Sequence, residues 1–312
     1  MHAFAFVFPG QGSQSVGMLD AWGDHPAVRQ TLAEAAAALG EDIGALIHGG
    51  PKEALELTTT TQPVMLTAAI ACYNAWRAEG GAEPAAVAGH SLGEYSALVA
   101  AGALTLADAL PLVRLRAQAM QQAVPVGAGA MAAILGLDAA AVAAVCATVA
   151  AATGEVVAPA NYNDPKQTVI AGSKAGVDLA CEQLKAAGAK RALLLPVSAP
   201  FHSSLMQPAA EALRERLRAV EIRAPRIPVV NNVDVAAPAD PDAIRDALYR
   251  QASGPVRWVE VVQALRARGL VHVLECGPGK VLSGLVRRID AELISMTVLD
   301  PASLAEAKEM LA

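Results

Sequence analysis

Short apolar runs of strand length alternate with longer Ala- and Leu-rich segments of helical period through the first part of this chain. Residues 4–8 read as a strand, 26–38 and 63–78 as helices, 85–89 as a strand, and 91–101 and 106–122 as helices. Such alternation specifies an α/β fold, a parallel sheet whose strands are covered by helices. Thr105 and Asp108 have the spacing of a capping box ahead of 106–122, and Pro111 falls where it would kink that helix. From Gly127 the order becomes strand 130–135, helix 139–151, strands 156–161 and 168–172, helix 174–187 and strand 191–197. This β-α-β-β-α-β order is the ferredoxin-like split unit, which closes a small four-stranded sheet by itself. A helix at 205–219 and a strand at 228–232 then resume the first pattern. Two subdomains are therefore expected, 1–126 with 199–312 and an inserted 127–198, with a ligand cleft between them. Gly277-Pro278-Gly279 ends a strand-like run at 271–276 before a final helix and reads as a turn.

With 312 residues, 54% of them hydrophobic, the chain can bury a sizeable core. The net charge of −6, with acids and bases interspersed, gives no basic stretch to track a phosphate backbone, so nucleic acid is not an expected partner. The N-terminus lacks a basic leader and meets Pro9-Gly10 after too few apolar residues for a signal peptide or membrane span. Four scattered cysteines, Cys72, Cys146, Cys181 and Cys276, have neither metal-ligand nor disulfide-framework spacing. A cytoplasmic, metal-free monomer is the expectation.

Gly89-His90-Ser91-Leu92-Gly93 is a Gly-x-Ser-x-Gly pentapeptide placed between a small-residue apolar run and an amphipathic helix. On a strand-to-helix turn of this kind the serine hydroxyl is held clear of the backbone, and the helix N-terminus offers free N–H groups to an oxyanion. The alternative is an ordinary Gly-rich βα turn. Taken with Phe8-Pro9-Gly10-Gln11-Gly12-Ser13-Gln14 and Pro200-Phe201-His202-Ser203-Ser204-Leu205-Met206, it resembles the malonyl-CoA:acyl carrier protein transacylase family, over residues 3 to about 300. The resemblance implies a hydrolase-like parallel-sheet large subdomain carrying an inserted ferredoxin-like one. It also implies transfer of a malonyl group from CoA to the phosphopantetheine thiol of acyl carrier protein in fatty acid synthesis, with the CoA thioester as substrate and no permanent cofactor.

Serine needs a base within hydrogen-bond reach. Of six histidines, His202 lies in a loop after a strand and matches the family's catalytic histidine; His90, adjacent to Ser91, points elsewhere and packs beneath the turn. Asp164 and Asp178 are the candidate acids between serine and histidine, and neither has a supporting pattern. The resemblance gives the histidine a backbone carbonyl near Gln251 instead. By the same resemblance the N–H groups of Gln11 and Leu92 form the oxyanion hole, and Arg116 clamps the malonyl carboxylate as a planar bidentate donor. Leu112, Leu115 and Ala119 mark the apolar stripe of its helix, and Arg114, two residues back from Arg116, faces roughly 200° away from it around the helix. Gln62, Asn161 and Asn163 line the cleft in relatives and could equally be turn and strand-end residues. Met131 would border the acyl pocket. Lys190 and Arg191 form a basic pair suited to CoA phosphates or an acidic carrier, or a solvated charge pair. Rival readings are an acyltransferase loading a polyketide synthase, a serine thioesterase or hydrolase, and a non-catalytic carrier-docking module.

Overall fold

A computed structural model of the chain describes residues 2–312. Its strands among those residues are β1 (Phe4–Phe8), β2 (Ala86–Gly89), β3 (Gly129–Leu135), β4 (Val157–Asp164), β5 (Gln167–Ser173), β6 (Arg191–Leu194), β7 (Val229–Val230), β8 (His272–Cys276) and β9 (Ile294–Val298). They form two sheets. The first has the order β7-β2-β1-β8-β9 with every pairing parallel. The second has the order β4-β5-β3-β6 with every pairing antiparallel.

Every residue of β1 is buried, as the unbroken apolar run requires of a central parallel strand. Its alternate side chains separate two cores. Phe4, Phe6 and Phe8 face the helix Thr58–Ala78, with Phe6 edge-on to Trp76 at 5.3 Å, while Ala5 and Val7 face Trp258, Val261 and Leu265 on the other side. The second sheet keeps its own core of Ile134, Val142, Val149, Ile170, Val177 and Leu184. Its helices Ala139–Thr153 and Lys174–Ala186 start at Asp138 and Ser173, whose side chains accept the N–H of Ala141 and Gly176. The fold is thus a parallel-sheet α/β subdomain with a ferredoxin-like insertion. Main-chain bonds join β4 to the segment ahead of helix Trp258–Ala267 in the larger subdomain: Tyr162 N–H donates to Val256 O at 2.9 Å, and Val256 N–H to Ala160 O at 2.8 Å. Arg288 Nε donates to Asp164 Oδ2 at 2.7 Å beside them.

Several sequence expectations need correction. The helix expected at 63–78 begins at Thr58, because burial in the core overrides the β-branched Thr58–Thr61 run. The helix expected from 91 begins at Gly93, since Ser91 has a left-handed backbone. β6 stops at Leu194, ahead of Pro196, which has no N–H for a ladder. The helix after Gly279 is not the last element: Val281–Ile289 is followed by β9 and by Pro301–Leu311. Helices Ile43–Gly49, Lys52–Glu56, Pro241–Ser253 and Trp258–Ala267 were not anticipated. Thr105 caps Asp108 N–H, but its hydroxyl donates to the Asp108 carboxylate, so the reciprocal half of a capping box is not formed. Helix Leu106–Gln122 continues through Pro111. Its buried residues are Leu106, Ala109, Leu110, Leu112, Val113, Arg116, Ala117 and Met120, with Leu115 and Ala119 at the margin. Among the described residues no helix is long and apolar enough to cross a membrane.

Candidate active site

The carboxyl ends of three adjacent parallel strands, β1, β2 and β7, deliver Gln11, Ser91 and Asn232 to one edge of the sheet, where open α/β folds place their ligands. Ser91 turns the chain from β2 into helix Gly93–Ala100 with φ of 52°, a conformation that non-glycine residues rarely adopt. Its neighbours permit this. A Cβ on Gly89 would lie 1.9 Å from the Gly93 carbonyl, and one on Gly93 would lie 2.1 Å from Phe8 O. The buried Asn232 side chain spans the turn, Oδ1 accepting the Ser91 N–H at 2.8 Å and Nδ2 donating to Gly89 O at 2.8 Å. Sequence reasoning missed Asn232, which belongs to none of the three motifs.

His202 is the second non-glycine residue in left-handed conformation, with φ of 60°. Its Nε2 stands 2.6 Å from Ser91 Oγ, across 111 positions of sequence. Nδ1 lies 3.0 Å from both Gln251 O and Gly254 O. Carbonyl oxygens only accept, so Nδ1 carries the proton and the Nε2 lone pair faces the serine hydroxyl. Gly254 is a second anchor that the sequence reading did not identify. Burial first, then the charges of Arg116 and His90, push the imidazole pKa down to about 3, against the two carbonyl bonds that raise it. Asp164 pairs with Arg288 and Asp178 with Lys174, so neither orients the imidazole.

Arg116 is buried and aimed at the same hydroxyl. Nη2 donates to Ser91 Oγ at 3.2 Å and to Gln251 Oε1 at 3.0 Å, and Nη1 donates to Gln62 Oε1 at 2.8 Å. Its Nε is buried without a hydrogen-bond partner among the described residues. All these acceptors are neutral, so a guanidinium held 2% exposed lacks a directly paired anion. Burial lowers its pKa, with Tyr95 and Glu94 opposing. Arg114, on the other side of the helix, pairs with Glu41. Gln62 proves to be a buried helix residue rather than a turn residue.

The cavity over Ser91 is about 190 Å³ and is lined by Gln11, Leu92, Gln62, Arg116, Met131, Asn161 and Asn163, with Met120, Val169, Leu195, Val197 and Phe201 as apolar wall. The N–H groups of Gln11 and Leu92 have no protein acceptor among the described residues. Asn163 Oδ1 bonds His90 Nε2 at 2.9 Å, and the His90 ring lies 5.4 Å from Trp258; against the expectation that it packs beneath the turn, His90 lines the cavity beside Ser91. Lys190 and Arg191 do not line the cavity. Register places Arg191 opposite Leu135, at the far end of β3 from Met131. Glu94, in the first turn of the elbow helix and 2% exposed, is a further buried acid that sequence reading passed over; burial pushes its pKa up to about 7 against bonds from Gln251 and Asn232.

The Acyl transferase domain family matches residues 5–295. The malonyl CoA-acyl carrier protein transacylase of Escherichia coli (strain K12) is 54% identical over 99% of this chain and 100% of its own length. A crystal structure of an acyl-carrier-protein S-malonyltransferase from Burkholderia pseudomallei 1710b is 65% identical, with a TM-score of 0.97 over 98% of this chain and 99% of that one. A malonyl-transacylase solved in complex with a holo type II polyketide synthase acyl-carrier protein is 50% identical, with a TM-score of 0.96 over 99% of both chains. A serine–histidine couple on a nucleophile elbow, within a matched family that spans both sheets, makes this chain a member of the acyl transferase family, in its malonyl CoA-acyl carrier protein transacylase branch.

Proposed function

We propose that this chain moves a malonyl group from malonyl-CoA to the phosphopantetheine thiol of acyl carrier protein through a malonyl-Ser91 ester, supplying extender units for fatty acid synthesis. The observation that carries this reading is the shared Ser91 hydroxyl, 2.6 Å from an imidazole Nε2 and 3.2 Å from a buried guanidinium. His202 Nε2 takes the hydroxyl proton as Oγ attacks the thioester carbon. The N–H groups of Gln11 and Leu92 receive the oxyanion, a contribution of about 10² to 10³ in rate per donor. Collapse breaks the C–S bond, and the His202 proton leaves on the CoA sulfur. In the second half-reaction His202 takes the proton of the pantetheine thiol, the sulfur attacks the ester, and the proton returns to Ser91 Oγ.

Thiolate is a better leaving group than an amine, so carbonyl acceptors at Nδ1 suffice to hold the tautomer where a carboxylate is absent. Arg116 pairs with the malonyl carboxylate, and Gln62, Asn161, Asn163 and Met131 shape the space around it. The enzyme so proposed is a monomer working in the cytoplasm on a CoA thioester. Lys190 and Arg191, exposed on the insertion, are assigned to long-range attraction of an acidic carrier rather than to the cavity. The complex of a 50% identical relative with a polyketide carrier protein supports a second reading, the same chemistry serving a polyketide synthase.

Intact-mass measurement after mixing with malonyl-CoA, methylmalonyl-CoA and acetyl-CoA tests the proposal. A malonyl adduct on Ser91 that passes to acyl carrier protein faster than to water is expected. Ser91→Ala is expected to lower transfer by about 10⁶-fold. Hydrolysis outpacing transfer would make the protein a thioesterase.

A further inference from the structure

We propose that Glu94 is a positioning residue for acyl transfer: by holding Asn232 and Gln251 together, one of its carboxylate oxygens sets the register of Ser91, His202 and Arg116. The proposal rests on the reaction assigned above and adds to it a residue outside the cavity lining.

Glu94 Oε2 accepts the Asn232 N–H at 2.9 Å and the Gln251 Nε2 at 3.0 Å. Each donor belongs to a residue that grips the reacting groups. The Asn232 side chain straddles the elbow, bonded to Ser91 N–H and Gly89 O. Gln251 is gripped at three points besides Glu94: Nε2 donates to Ser91 O at 2.9 Å, Oε1 accepts from Arg116, and its main-chain O accepts from His202 Nδ1. Nucleophile, base and guanidinium are thus each one residue removed from the same oxygen. The Gln251 amide has a single workable orientation. Reversed, its NH₂ would meet the donor-only guanidinium and its oxygen would meet the Ser91 carbonyl and the Glu94 carboxylate. The acceptor at Glu94 reinforces that orientation and ties it to Asn232, whose main chain follows β7 while Gln251 ends helix Pro241–Ser253.

Buried without an ion pair of its own, Glu94 has no packing advantage over an apolar side chain there, and an unpaired buried acid costs stability. Its two bonds account for the position. Misplacement of reacting groups by about 1 Å costs about 10²-fold in rate, and that is the size of effect expected from releasing both donors at once.

The test uses the full chain, reading the single-turnover rate of Ser91 acylation by malonyl-CoA together with kcat and KM. Wild-type acylation at Ser91 comes first, since its absence would reject the functional reading and not this one. Glu94→Ala and Asn232→Ala are each expected to slow acylation by about 10²-fold with KM changed by less than about threefold. The double variant is expected to be no more than about fivefold slower than the slower single, because both break one chain of bonds. Glu94→Gln, whose amide oxygen can accept both bonds, is expected to recover to within about tenfold of wild type. Should Glu94→Ala fail to fold, Glu94→Asp, which withdraws the oxygen by one methylene, carries the same expectation of lowered kcat at unchanged KM. Near-wild-type acylation by the Ala or Asp variant, losses that multiply in the double variant, or a Gln variant no faster than Ala would overturn the proposal.

Discussion

His202 meets Ser91 with a free lone pair at Nε2 because its surroundings disfavour the imidazolium: it is buried, and the Arg116 and His90 charges oppose a proton there. The folded-state pKa is pushed below the ordinary value, to about 3, so the neutral base persists as pH falls through 6.5 and is lost only nearer the lowered value. Between pH 7.5 and 5, kcat/KM for Ser91 acylation in the Glu94→Gln variant, which lacks the carboxyl pushed up to about 7, should therefore show no acid limb centred near 6.5; a midpoint there would mean that the imidazole is not held neutral. Arg116 enters twice, depressing the imidazole and offering donors to a carboxylate. In Arg116→Ala, malonyl transfer should fall by about 10²-fold or more while acetyl transfer is kept or gained, since an acetyl group no longer leaves a buried guanidinium unpaired. Competition between malonyl-CoA and acetyl-CoA, read by the mass of the Ser91 adduct, checks it, and an unchanged malonyl preference would remove Arg116 from the clamp.

The strand–turn–helix element makes Ser91 reactive by geometry, and its glycines are steric requirements. At Gly93 the obstacle to a Cβ is the Phe8 carbonyl at 2.1 Å, main chain of the central strand that cannot rotate away. Gly93→Ala should accordingly lower stability by about 3 kcal/mol, at the upper end of overpacking costs, and abolish Ser91 acylation. Thermal unfolding that leaves the midpoint unchanged would show that β1 and the elbow can separate. This element was legible because its needs are local: small residues at fixed spacing between an apolar run and an amphipathic helix. His202 and Arg116 became legible only through resemblance, since a loop histidine and a helix arginine have no local signature. Asn232, Gly254 and Glu94 were not legible at all. Asn232 works from the turn after a two-residue strand, more than a hundred positions from the elbow it spans, and Gly254 contributes only a carbonyl, which every residue has. Glu94 lies next to the motif, but its importance depends on what the fold packs against it.

Across the whole molecule, the order of elements in the insertion could be read directly, because each of its helices is capped and each strand packs on a core internal to 129–194. The seam could not. It joins Ala160 and Tyr162 to Val256, and Asp164 to Arg288, pairs separated by about a hundred residues or more and drawn from segments with no shared pattern. β9 escaped notice for a related reason: Ile294-Ser295-Met296-Thr297-Val298 mixes polar and apolar residues as a sheet edge allows, and only its pairing with β8 makes it a strand. The seam bears on the site, since β4 carries Asn161 and Asn163 to the cavity while the segment it pairs with follows Gly254, one of the two carbonyls on His202. Asp164 closes one end of that seam, 7% exposed and bonded to a half-exposed Arg288 and to Lys166 N–H. Removing the cation leaves a buried carboxylate with one backbone donor, a loss of about 1–2 kcal/mol after solvent screening at the exposed arginine. The main-chain bonds at Val256 are untouched by the change. Arg288→Ala should therefore lower the unfolding midpoint by a few degrees while Ser91 acylation stays within about twofold of wild type. A rate that fell with the midpoint would mean that the ion pair, and not the backbone ladder, sets how the insertion sits over the serine.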